Sequence, residues 1–266
     1  MDHEPVIENS ELKTCFKALD SVWDVFKDNY GETEASISNE DFVTETDGLI
    51  EDRIVRCIKD DYQNTSFLSE EMYKKSTDDG IESDTEVQWI IDPIDGTINY
   101  FRGSLPAGIS IFAEVDGELQ SGVIGLPNQD TVFYSVKGHG TYMNETQVEC
   151  SDKTNISNSV VDMQFGESRI EIDGYTDTVN RLSRQARQIV CSRTGVYDFC
   201  MISDGRLDAA INLETNPWDV AGAYLLVNEA GGQVTDRKGR TDWRSVKKGD
   251  AVASNGGIHE DLIKDF

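Results

Sequence analysis

With 24 basic against 50 acidic side chains in 266 residues, the chain carries a formal charge of −26, which repels nucleic acid and anionic membrane surfaces and removes both from the expected partners. No run approaches the roughly 18 apolar residues of a membrane span, and the acidic opening Met1-Asp2-His3-Glu4-Pro5 has neither the basic nor the apolar region of a secretory leader. The cysteines (Cys15, Cys57, Cys150, Cys191, Cys200) lie far apart and are odd in number, so a cytoplasmic globular chain with reduced thiols is expected, its scattered acids suited to high salt; an anionic ligand would be drawn to so negative a chain only through bound divalent cations.

Leu12, Cys15, Phe16, Leu19, Val22, Trp23 and Phe26 recur at helical spacing and predict an amphipathic helix over 11–30, started by Ser10 and Glu11. After a polar stretch over 31–40, Asp47 opens a second helical pattern through Leu49, Ile50, Ile54, Val55 and Ile58, ending near Tyr62. Phe67-Leu68 before Glu70-Glu71, and Val87-Gln88-Trp89-Ile90-Ile91 stopping at Asp92-Pro93, read as strands that deliver carboxylates at their ends. From Gly108 to Val136, β-rich runs broken at Asp116-Gly117 and Pro127-Asn128 predict antiparallel hairpins. Beyond Ser159 the order is strand (160–163), helix (176–188), strand (189–191), helix, strand (207–211), a mixed α/β pattern. Pro217-Trp218-Asp219 then starts a helix running to about Glu229, with Gly231-Gly232 to stop it. The expected organisation is one domain over 1–266 of the α+β class, with a seam near Ser151 between an α+β half (1–150) and an α/β half (151–266).

The chemistry concentrates in Trp89-Ile90-Ile91-Asp92-Pro93-Ile94-Asp95-Gly96-Thr97, where an apolar strand ends in two carboxylates that a turn can aim at one cation. Hard cations such as magnesium take oxygen ligands, and Asp92 is placed to bridge a pair of them. Gly96, with no side chain, lets a phosphate approach the N–H groups of Gly96 and Thr97. Glu70 after a strand and Asp219 at a helix start are further carboxylates in matching contexts, although each taken singly also reads as a solvated acid or a partner of a helix dipole.

In these segments the chain resembles the inositol monophosphatase family of lithium-sensitive, magnesium-dependent phosphatases, which includes the archaeal-type fructose-1,6-bisphosphatase/inositol monophosphatases. The resemblance rests on Asp41-Phe42-Val43-Thr44-Glu45-Thr46-Asp47, Phe67-Leu68-Ser69-Glu70-Glu71, Trp89 to Thr97 with Asn99-Tyr100-Phe101, and Trp218-Asp219-Val220-Ala221-Gly222 followed by Glu229-Ala230-Gly231-Gly232. It implies a layered αβαβα sandwich of the sugar-phosphatase type, a homodimer, and two or three magnesium ions per site. Glu70, Asp92 and the Ile94 carbonyl are then ligands of a first ion, with Asp92, Asp95 and Asp219 holding a second. The resemblance also implies that Thr97 bonds the attacking water, that Asp47 and Glu70 orient or deprotonate it, and that phosphate rests on Asp95, Gly96, Thr97 and Asp219.

Two positions depart from that family. Asn212 stands where a polyol-recognising Glu is expected, with Glu214 two places later, and Arg193 stands where many relatives have Gly, which makes fructose 1,6-bisphosphate a candidate beside inositol monophosphate. A surface salt bridge is the other reading of Arg193. The expected substrate is therefore a small phosphorylated polyol or sugar. A nucleotide 3′-phosphatase acting on adenosine 3′,5′-bisphosphate and a catalytically silent metabolite-binding module are the alternatives. His3, His139 and His259 read as surface or packing residues, Trp218 as packing that fixes Asp219, and Asp198 and Asp208 as supports of turns or helix ends.

Overall fold

The computed structural model describes residues 3–33, 35–38, 41–75, 85–104, 106–165, 175–213, 215–248 and 250–264. Helix α1 (Ser10–Asn29) buries the expected stripe from Leu12 to Phe26. Its cap is Asn9, whose side chain accepts the Leu12 N–H at 2.7 Å, whereas the expected starter Ser10 donates to Glu11. Strands β1 (Ala35–Ser38) and β2 (Asp41–Thr44) pair antiparallel in and beyond the stretch read as a polar connection. Then come α2 (Glu45–Asp61), β3 (Thr65–Ser69), α3 (Glu70–Lys75), β4 (Val87–Asp95) and α4 (Thr97–Phe101). The expected hairpins follow as β5 (Gly108–Val115), β6 (Glu118–Leu126) and β7 (Thr131–Val136), extended by β8 (Thr141–Met143) and β9 (Thr146–Val148).

Strands β3 to β9 make one sheet in sequence order, with β3 and β4 parallel and the later pairs antiparallel. Side chains alternate between its faces, so the sheet serves two cores. Trp89, Ile91, Ile109 and Ile111 pack with Leu19, Phe26, Ile50 and Ile54 of α1 and α2 on one side. Ile90, Phe112, Ile124 and Phe133 point the other way, into a cluster shared with the second half of the chain.

That half contributes β10 (Val160–Phe165), α5 (Tyr175–Gln185), β11 (Gln188–Val190), α6 (Gly195–Ser203), β12 (Ala209–Leu213), α7 (Pro217–Gly222), β13 (Gln233–Thr235), α8 (Trp243–Val246), β14 (Ala251–Ser254) and α9 (His259–Ile263). Its five-stranded sheet has the order β11-β10-β12-β14-β13, parallel through β12 and antiparallel at β14. Val161, Ala209 and Ile211 pack outward against Leu182 of α5 and Leu262 of α9, whereas Ala210 faces inward with Phe199 of α6 and Val220 of α7. The layers are thus helices, sheet, helices, sheet, helices, and α6 and α7 lie between the sheets.

Two boundaries differ from expectation for identifiable reasons. The strand expected at 207–211 begins at Ala209, because Asp208 is held as a hub, its carboxylate accepting from Ser151 (2.6 Å), Lys153 (2.8 Å) and the Val160 N–H (2.8 Å). The helix after Pro217 passes through a π-turn at Ala223–Val227 before the Gly231 stop, a widening with no signature in apolar spacing. Among the described residues no helix is long and apolar enough to cross a membrane.

His259 is buried between Thr235 Oγ1 (3.0 Å from Nε2) and Ser254 Oγ (2.8 Å from Nδ1), and burial pushes its pKa down to about 4. The unfolded chain takes this proton first, so the stabilising effect is complete above about pH 6.5 and is lost as pH falls towards 4, to the extent of about 3 kcal/mol. Urea titrations of the wild type and His259→Gln at pH 7 and pH 4.5 check this: the wild type should lose more stability between the two, and equal losses would refute it.

Candidate active site

Strand β4 is buried along nearly its whole length and does not stop at Asp92-Pro93 as expected. It continues to Asp95, with Asp92 opposite Ser110 and Asp95 opposite Gly108, so Pro93 and Ile94 of β4 stand against Ile109 alone of β5. This bulge takes the place of the expected turn and accommodates Pro93, which has no N–H for the ladder. Inside it Asp92 Oδ1 accepts the Ile94 N–H at 3.0 Å, and Thr97 Oγ1 donates to the Ile94 carbonyl at 3.1 Å. Gly96 follows at φ 80° and leads directly into α4.

The described structure gives Gly96 a reason that spacing alone does not supply. A Cβ there would stand 2.3 Å from Thr194 Oγ1 and 3.2 Å from the Pro106 carbonyl. Thr194 Oγ1 donates to that carbonyl at 2.9 Å and accepts from Asn99 Nδ2 at 3.0 Å, while Asn99 also reaches the Ser192 carbonyl at 2.9 Å. Two residues on, the Val196 N–H donates to Asp95 Oδ2 at 2.6 Å. The 192–196 segment, from the second half, is therefore docked onto the 95–99 turn of the first.

Three further carboxylates are brought to this junction. Asp47 is the third residue of α2 and is buried; Glu70 is the first residue of α3, immediately beyond β3. Asp219 lies in the first turn of α7, where its Oδ2 accepts the Asn216 N–H at 2.7 Å in a reciprocal cap. Trp218 beside it is buried in the central cluster. Burial first, and then Glu70, Asp95, Asp219 and Asp47 in that order, hold the Asp92 carboxyl well above its usual range. Burial with repulsion from Asp95 and Glu70 does the same for Asp219. Asp95 is pushed up to about 7, chiefly by burial, against the opposing pull of the Val196 and Gly96 N–H groups and of Arg193. Asp92 thus senses the other four carboxylates, and Glu70, Asp95 and Asp219 also sense one another.

Only oxygen donors gather there, partly desolvated and mutually repelling, which is the chemistry that suits a hard divalent cation. Among the described residues no three His, Cys, Asp or Glu side chains are drawn close enough to hold an ion as positioned, so the fit rests on donor type and electrostatics.

Arg193 adopts φ 63°, a left-handed conformation that a Gly would take without strain, and its charge reaches Asp95. Asn212 is buried on β12 facing the middle layer, where a Cβ on Gly195 would come within 2.7 Å of its Nδ2, and its Oδ1 has no hydrogen-bond partner among the described residues. Glu214 lies outside the described residues. The histidines stay apart: His3 pairs with Asp20 (2.5 Å), His139 is exposed and His259 belongs to the far sheet.

Sequence reasoning missed Glu51, which accepts from the residues flanking Glu70, and the polar set behind Arg193. In that set Asp162 Oδ2 accepts the Ser192 N–H at 2.8 Å, while Gln164 donates to Ser192 Oγ at 3.0 Å and to Asp198. The one available signal for Glu51 is its position four residues after Asp47, which puts both on one side of α2.

Comparison with known proteins places this geometry in context. The model of the inositol monophosphatase family matches residues 2–266. An inositol monophosphatase of Dictyostelium discoideum is 32% identical over 253 residues, covering 92% of this chain and 91% of the relative. A fructose-1,6-bisphosphatase/inositol-1-monophosphatase of Thermotoga maritima is 30% identical over 224 residues, covering 84% and 82%. A relative named Nus factor SuhB, from Xylella fastidiosa, is 31% identical over 213 residues, covering 80% of this chain and 75% of the relative. Among solved structures, the Thermotoga maritima IMPase superposes with a TM-score of 0.80 at 27% identity, over 93% of each chain.

Proposed function

Because the chain belongs to the inositol monophosphatase family, we propose that it is a magnesium-dependent phosphomonoesterase acting on a small phosphorylated polyol or sugar, inositol monophosphate, fructose 1,6-bisphosphate or both. The observation that carries this reading is that five carboxylates meet at the junction: Asp92 and Asp95 at the end of β4, Asp47 and Glu70 in the first turns of α2 and α3, and Asp219 in that of α7, near enough to repel a charge on buried Asp92. In this reading Glu70, Asp92, Asp95, Asp219 and the Ile94 carbonyl hold two or three magnesium ions. Bound there, magnesium would supply charge neutralisation and a lowered pKa for a water nucleophile.

The chain's own groups supply the rest. Thr97 directs its hydroxyl hydrogen at the Ile94 carbonyl, which leaves its oxygen free to accept a hydrogen bond from water. The Ile94 oxygen has a second lone pair for a cation. Asp47 and Glu70 stand on the first turns of α2 and α3 as acceptors for the water's proton. Asp95, Gly96, Thr97 and Asp219 surround the phosphate, and the Oδ1 of Asn212, which has no partner among the described residues, accepts from a substrate hydroxyl. A neutral Asn in place of a carboxylate asks less of that hydroxyl, and Arg193 favours substrates with a second anionic group. We extend the reading to a homodimer, to a cytoplasmic setting and to a high salt optimum for so acidic a surface.

The test is phosphate release with magnesium in high salt from inositol 1-phosphate, fructose 1,6-bisphosphate and adenosine 3′,5′-bisphosphate. Turnover of either of the first two supports the reading, and turnover of the third alone shifts it to a nucleotide phosphatase. In the same panel Arg193→Gly should lower kcat/KM for fructose 1,6-bisphosphate by about 10-fold and leave inositol 1-phosphate within about twofold. An equal effect on both would remove Arg193 from substrate selection. The relative named Nus factor SuhB is not named as a phosphatase, and beside it we keep a second reading, the catalytically silent metabolite-binding module. That reading gains if magnesium binds and no phosphate is released.

A further inference from the structure

We infer that Glu51 is a positioning residue of the site, a buried carboxylate that holds the Ser69 side chain before Glu70 and the backbone after it, and so ties Glu70 to the helix that carries Asp47; this rests on the phosphatase reading above. Glu51 sits one turn beyond Asp47 on α2, on the same side, and is 2% exposed. Its neighbours on that helix face include Ile50 and Ile54, both fully buried, so a carboxylate there is tolerated only where its acceptor capacity is filled.

The filling is specific. Glu51 Oε2 accepts the Ser69 hydroxyl, the Glu71 N–H at 3.0 Å and the Met72 N–H at 3.3 Å. One donor precedes Glu70 and two follow it, so a single oxygen brackets the residue. The two N–H groups belong to the first turn of α3, where a helix has no internal acceptors. At six residues α3 is too short to hold its own start, and a carboxylate oxygen from another helix accepts the N–H groups of its first turn. The direction in which Glu70 leaves the backbone is therefore set by α2, and α2 also sets Asp47. A single rigid element thus fixes the two groups assigned to the nucleophile's proton, one of which is also assigned to the cation.

The experiment uses full-length wild type, Glu51→Ala and Glu51→Gln. Manganese affinity is read by electron paramagnetic resonance without substrate, the thermal midpoint is read without metal, and kcat and KM are read with magnesium. Glu51→Ala should bind manganese about 10-fold more weakly and lose about 10- to 100-fold in kcat, with KM within about threefold. Glu51→Gln keeps an oxygen for the same N–H groups and should recover most of both losses. Manganese affinity and kcat within about twofold of wild type in Glu51→Ala would overturn the inference, and so would equal losses in both variants. Should Glu51→Ala fail to fold, Ser69→Ala decides: weaker manganese binding at an unchanged thermal midpoint supports the inference and unchanged binding overturns it. A wild type that binds manganese and releases no phosphate would defeat the phosphatase reading alone, since the metal titration still judges Glu51.

Discussion

Asp92→Asn should abolish magnesium-dependent phosphate release, by about 1000-fold or more, and should at the same time raise the thermal midpoint of the metal-free chain. Loss of activity follows from removing the carboxylate at the centre of the cluster. The gain in stability follows from the same geometry. Asp92 is buried among Glu70, Asp95, Asp219 and Asp47, all of which push its carboxyl up. A carboxyl whose folded pKa is raised binds its proton more tightly in the folded chain, so stability is lost as pH rises from the unfolded value near 4 through the folded one. Asp95, pushed up to about 7, places part of that loss between pH 4 and 7. The amide introduced by Asp92→Asn would keep the oxygen that accepts the Ile94 N–H and carry no charge, so this cost disappears. His259 acts in the opposite direction over the same range, which is why the comparison needs the variant and wild type side by side. Magnesium should raise the wild-type midpoint and leave that of Asp92→Asn nearly unmoved. A variant less stable than metal-free wild type at pH 8, or one that retains turnover, would remove Asp92 from the centre of a cation site.

Several parts of this arrangement are legible in the sequence because they are local. The stripe from Leu12 to Phe26 fixes α1, and the breaks at Asp116-Gly117 and Pro127-Asn128 fix the β5–β7 meander. The run Trp89 to Thr97 presents its carboxylates within nine residues, so their meeting requires no knowledge of the fold. What was not legible depends on distant pairing. Strands β13 and β14 are short; β14 is set beside β12 by antiparallel pairing across some forty residues of chain, which no local period encodes, and β13 then pairs on the far edge of β14. Pro93 argued for the end of a strand, and the bulge against β5 that tolerates it exists only once β5 has paired. Glu51 was hidden by composition: among 50 acidic residues a single buried carboxylate has no mark of its own. Thr194 was likewise unreadable, because its role is to fill the space that Gly96 leaves.

That last relation gives the second large effect. Gly96→Ala should destabilise the chain by about 3 kcal/mol and lower kcat about 100-fold, through two separable causes. The first is local: φ 80° lies in the left-handed region, where a Cβ costs about 1 kcal/mol. The second is packing across the junction, since the new Cβ would lie 2.3 Å from Thr194 Oγ1 and something must shift. If Thr194 is expelled, its bonds to the Pro106 carbonyl and Asn99 go with it, and the segment that delivers the Val196 N–H to Asp95 loses its seat. Thr194→Ala removes the hydroxyl and most of the clash, so in that background Gly96→Ala should cost only the backbone share, about 1 kcal/mol. A double-mutant cycle by urea unfolding therefore has a definite expectation, a coupling of about 2 kcal/mol in which the pair loses less than the sum. Strict additivity would mean that the glycine is required for its backbone angle alone. Coupling in stability with no matching recovery of kcat would mean that Thr194 packs the two halves together without steering Asp95.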